Sequence, residues 1–112
     1  AAARGTEAPE TLASGASLAL LFNETGRAKD AEPLLRKNVE GRRKLMGARS
    51  LHLAAALEQL AVNRLKLEDS AEARTLYAEA MEIRRESQGV EHPETKRVAE
   101  ALQKLTAQVA AR

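Results

Sequence analysis

Residues 9–47 recur as residues 51–89, at an offset of 42 and without a gap. Leu18 falls on Leu60, Ala19 on Ala61, Ala31 on Ala73 and Leu34 on Leu76. Glu40 falls on Glu82, the pair Arg42-Arg43 on Arg84-Arg85, and Gly47 on Gly89. A partial third copy follows, in which Pro9-Glu10-Thr11 returns as Pro93-Glu94-Thr95 and Leu102 continues the series Leu18, Leu60. Identical residues at one constant spacing mark a duplicated structural unit. A unit this short cannot cover its own apolar face, so it stacks on its neighbour.

The composition makes the unit helical. Ala occurs 23 times and Glu 14 times, whereas Asp occurs only at Asp30 and Asp69. Ala, Glu, Leu, Arg and Lys are good helix formers and Asp is not. The only aromatic residues are Phe22 and Tyr77, so the core is expected to consist of Ala, Leu and Val. Each unit reads as two helices. The first pair spans about residues 11–23 and 28–46, broken at Gly26 and ended by Gly47. In the second helix Ala31, Leu34, Leu35, Asn38 and Val39 recur at helical spacing, and Pro33 is tolerable near the first turn. Ser50 is positioned to cap a third helix to about residue 67. A turn at Glu68-Asp69-Ser70 follows, with Ser70 expected to cap a fourth helix that ends near Gly89. His92-Pro93 opens a fifth, over about residues 94–110.

Several functional classes are excluded. A net charge of +2 is too near balance for a nucleic-acid or membrane-surface protein. The basic cluster Arg36, Lys37, Arg42, Arg43 and Lys44 is interrupted by Glu32 and Glu40. It reads as a solvated helix face with i,i+4 charge pairs. The absence of cysteine excludes disulfides and thiolate chemistry, and fits a reducing, cytoplasmic setting. No apolar run approaches the roughly 20 residues that span a bilayer. His52 and His92 have no third convergent group, so neither a metal nor a catalytic role is expected. No cofactor is called for, and the chain does not read as an enzyme. A chain that begins at Ala1 rather than Met reads as a fragment or a processed form.

The stretch Leu18-Ala19-Leu20-Leu21-Phe22, then Gly26-Arg27, then Asp30-Ala31-Glu32-Pro33-Leu34-Leu35 resembles the tetratricopeptide repeat (TPR), in the 42-residue form of kinesin light chains. Glu91-His92-Pro93-Glu94-Thr95 resembles the link between repeats of that form, and Arg42-Arg43 with Gly47, and Arg84-Arg85 with Gly89, resemble its repeat endings. The resemblance covers about residues 9–105. It implies an all-α fold, with antiparallel helical hairpins stacked as a right-handed TPR superhelix of five helices. The division is then an N-terminal extension (1–8), two full repeats (9–49 and 50–91) and a C-terminal capping helix (92–112). The chain departs from the pattern in four places. Ala16-Ser17 and Glu58-Gln59 stand where the family favours two Asn, and Arg64 and Glu68 replace an aromatic residue and a glycine.

The resemblance further implies a protein-binding scaffold or adaptor module whose first helices line a concave face. The candidate contact residues are Ser17, Leu20 and Asn23, with Ala13 and Ala16 beside them. Glu58, Gln59 and Val62 follow, with Ala55 and Leu65, and then Arg97 and Lys104. Arg97 and Lys104 are placed to hold a partner carboxylate. Residues 11–23 carry no charge, which suggests self-association, or packing of that helix against another repeat or chain. Two further readings are a structural part of a large assembly, held by its ends and convex face, and a regulatory repeat region of a larger enzyme.

Overall fold

The computed structural model describes residues 9–47 and 49–110, with side chains described over 17–45, 47 and 49–108. The described residues form five helices: α1 (Pro9–Glu24), α2 (Ala28–Met46), α3 (Leu51–Lys66), α4 (Ser70–Gln88) and α5 (Pro93–Ala110). Each helix packs on the next, and α1 also touches α3. The result is an elongated slab of 49 × 32 × 18 Å, as expected of hairpins added in one direction. The all-α expectation holds. The expected extension at residues 1–8 and the side chains of Ala13 and Ala16 lie outside what is described.

The core is aliphatic. Ala19, Ala31, Ala54, Ala61, Ala73 and Ala80 are fully buried with Leu35, Leu53, Leu57 and Val98. Alanines at Ala19/Ala61 and Ala31/Ala73 let the two helices of each hairpin approach closely, which a larger side chain would prevent. Tyr77 joins this core, and Phe22 packs against it from the side with the Arg27 guanidinium 4.6 Å from its ring centre.

The helix ends repeat as the sequence does. Gly47 and Gly89 follow α2 and α4 at φ 87° and 90°, with ψ 168° and 160°, a backbone region open essentially only to glycine. After α1, Gly26 is left-handed at φ 79°, and the Arg27 N–H donates to the Phe22 carbonyl at 2.7 Å. After α3 the same turn forms, with the Asp69 N–H donating to the Arg64 carbonyl at 2.8 Å. Its left-handed position is held by Glu68, at φ 65°. A side chain there is strained by roughly 1 kcal/mol. Glu68→Gly therefore raises the chain's stability by about 0.5–1 kcal/mol, a gain read from the midpoint of a urea unfolding curve.

Two expectations need correction. Ser70 is the first residue of α4 and not its cap: the Asp69 carboxylate accepts from the Glu72 N–H at 3.0 Å, as Ser50 Oγ accepts from the His52 N–H at the start of α3. A carboxylate at that position also gains from the helix dipole. Nor is the basic side of α2 simply a solvated face. Arg36 forms the expected i,i+4 pair with Glu32, but it also holds Glu72 through two bonds of 2.9 and 2.8 Å. Arg43 holds Glu79 at 2.6 Å, and Arg49 holds Glu86. The cations of the first hairpin thus face acids 36 or 37 residues later, on α4. Arg64, only 14% exposed, sits inside this ladder and pairs with Glu32, Asp69 and Glu72. The residue that departs from the family's aromatic position is the hub joining the two hairpins.

Candidate partner-binding groove

The groove begins with the register of α1 and α3. Leu20 and Val62 occupy equivalent positions and are equally exposed, at 39% and 40%. Together with α5, these helices border a groove of about 490 Å3, within the range of ligand pockets. Of the eight candidate contact residues, Leu20, Asn23, Glu58, Gln59, Val62 and Arg97 line it. Ser17 and Lys104 are exposed on α1 and α5 but do not line it.

One wall is pinned by a buried amide pair. Asn63 Nδ2 donates to Asn23 Oδ1 at 2.9 Å and to the Ala28 carbonyl at 2.8 Å. This fixes the end of α1 against α3. Gln59, half-buried on the same wall, has a buried side-chain oxygen with no donor among the described residues.

The opposite wall is ionic. Buried Glu58 accepts from Nε of buried Arg84, and its second oxygen accepts from Arg97 at 2.9 Å. Arg97 also donates to Glu94 one turn before it. Hydrogen bonding from Arg97 holds the Glu94 carboxyl below the ordinary carboxylate range. Tyr77, beside this network, is shifted in the other direction. Burial raises its phenol above the usual value, and the Glu58 charge adds to that. Arg97, 60% exposed, is bound to two carboxylates of its own chain. The lining carries Glu24, Glu58 and Glu94 against Lys66, Arg84 and Arg97, and these charges balance. The groove is neutral overall and polar at one wall, with Leu20, Ala55 and Val62 as its apolar part.

Five lining residues were not anticipated: Glu24, Lys66, Tyr77, Arg84 and Glu94. Tyr77 and Arg84 come from α4, a second helix of a hairpin, whereas the sequence reading drew the face from first helices alone. A signal was present. Ala73, Tyr77, Ala80 and Arg84 fall at i, i+4, i+7 and i+11 of one stripe, and all four are buried. The same network accounts for Glu58 at a family Asn position: its charge neutralises Arg84 and ties α3 to α4 and α5.

The described residues contain no group of three His, Cys, Asp or Glu side chains able to hold a metal. The His92 ring nitrogen Nδ1 instead accepts from the Glu94 N–H at 3.1 Å, which caps α5. None of the described helices is long and apolar enough to cross a membrane. A family model described as tetratricopeptide repeat matches residues 10–86, from α1 through most of α4. No curated protein matches the chain.

Proposed function

We propose that this chain, which belongs to the tetratricopeptide repeat family, binds a short segment of a partner protein in the groove between α1, α3 and α5. Repeats of this family generally mediate protein–protein interaction and are typically non-enzymatic. The observation that carries the reading is the convergence of Leu20, Ala55 and Val62, exposed or half-buried aliphatic groups, beside the amides of Asn23 and Gln59. Such a surface accepts an aliphatic side chain from the partner, with the amides forming a polar border beneath it. Because the charges of the lining balance, the favoured segment is an apolar one of low charge. The constant 42-residue spacing supports the kinesin-light-chain-like form of the repeat, with units at 9–49 and 50–91 and a capping helix at 92–112. The cysteine-free composition supports a cytoplasmic setting.

The test is a selection of phage-displayed random peptides on the intact chain, followed by fluorescence anisotropy with the selected sequences. Val62→Glu, which buries a charge against the incoming apolar group, weakens binding at least 10-fold. Peptides that bind Val62→Glu as well as the parent chain would place recognition elsewhere.

A further inference from the structure

The 42-residue register allows each face of the first hairpin to be compared with its copy in the second. Ala19 and Ala61, facing their own hairpin partners, are both fully buried. Leu20 and Val62, facing the groove, match to within one per cent. The third face does not match. Leu18 is 43% exposed and its copy Leu60 only 2%, while Leu21 is 53% exposed and its copy Asn63 0%. Leu45 of α2 is 48% exposed. Its copy Ser87 is exposed as well and meets only the link after α2, with Oγ donating to the Arg49 carbonyl. Leu18 and Leu21 are therefore positions at which one hairpin of this chain receives another, and Leu45 lies at the edge, where its copy touches the link between hairpins. In the second hairpin the occupant is the first. In the first hairpin the same positions carry large aliphatic side chains facing solvent.

We propose that this end of the stack is a dimer interface, occupied by the same end of a second copy of the chain. Three observations favour a second copy. Residues 11–23 are uncharged, so two α1 helices approach without like-charge repulsion. The copies of Glu72 and Glu79, which meet the cations of the neighbouring hairpin, are Asp30 and Lys37. These are opposite charges seven residues apart on one helix face, a pattern complementary to itself about a two-fold axis. At the other end of the stack α5 covers α4. There Gln103 takes the register position of Ala19 and Ala61, where a hairpin partner crosses closely. Homotypic contact is thus directed to the α1–α2 end, which closes a dimer rather than extending a filament. Two helices of this length present a face of roughly 25 by 20 Å, so a dimer buries on the order of 1,000 Å2, the lower end for a specific interface. The dimer is accordingly a weak one, dissociating in the micromolar range.

Sedimentation equilibrium of the intact chain over a concentration series tests this. The expected result is a reversible shift from the 12.1 kDa monomer to twice that mass. Leu21→Lys and Leu45→Lys should each raise the dissociation constant at least 10-fold while the helical circular dichroism is retained. Val90→Lys, at the exposed turn before α5, should leave it unchanged. A chain that stays monomeric to the highest concentration would assign the face to another occupant, a preceding repeat or a different polypeptide, and overturn the proposal. So would a dimer indifferent to both leucine substitutions, or one weakened as much by Val90→Lys. This result is independent of the groove, since Leu18, Leu21 and Leu45 do not line it.

Discussion

Replacing Arg84 by methionine destabilises the chain by about 3 kcal/mol, toward the lower end of what breaking one side of a buried ion pair costs. Arg84 and Glu58 are both buried, and the guanidinium Nε–H is bonded directly to the carboxylate. Methionine fills the volume but leaves Glu58 with Arg97 alone, and Arg97 is 60% exposed. A carboxylate half-compensated in a buried position is the main source of the loss, because the desolvation of its charge is no longer offset. The double variant Glu58→Gln with Arg84→Met removes both charges and should recover a substantial part of the stability. Chemical unfolding of the two singles and the double gives the coupling directly. Additive losses would mean that the pair contributes nothing beyond its two separate side chains.

The second large effect is expected from Leu57→Ala, at about 3 kcal/mol, set by lost transfer energy and the cavity left behind. Leu57 is fully buried on α3, the helix that packs against both α2 and α4. With neighbours on both sides, little of the cavity can collapse. The measurement is the shift in urea midpoint at an unchanged slope. A loss below about 1 kcal/mol would show that α3 is not the packed centre of the stack.

Leu57 also marks where reading by repetition stops. The offset of 42 identified Leu60, Ala61, Ala73 and Gly89 because each has an equivalent in the other hairpin. Leu57 falls opposite Gly15 and Ala99, so repetition cannot distinguish it, although it is among the largest fully buried side chains. The same limit applies to charge. Arg64 and Glu68 stood out as breaks in the pattern. In the folded chain Arg64 joins the hairpins through three carboxylates, and Glu68 takes up the turn conformation that Gly26 adopts without strain. Helix number and order were legible because they depend on local propensity and apolar period. The ion-pair ladder was not, because its partners are brought together only by the stacking geometry.

For the groove, the first-helix residues were implied by the family resemblance. Tyr77 and Arg84 share a buried stripe of α4 that spacing marks, but that this stripe lines the groove is set by the stacking of α4 on α3 and α5. The balance of charge in the lining became visible once Glu58 was seen to accept from Arg84 and Arg97 together. The sequence alone shows Arg97 as a cation able to hold a carboxylate, whereas in the folded chain it already meets Glu58 and Glu94.

The most direct test of the groove as the protein-binding surface is methyl NMR of the chain, titrated with a peptide selected on it. Binding in the groove shifts the methyl resonances of Leu20, Ala55 and Val62 in parallel with saturation and leaves Leu45 and Ala78 unmoved. Shifts confined to Leu45, Ala78 and other methyls of α2 and α4, with Leu20, Ala55 and Val62 unchanged, would contradict the account and transfer recognition to the end or the convex side of the stack.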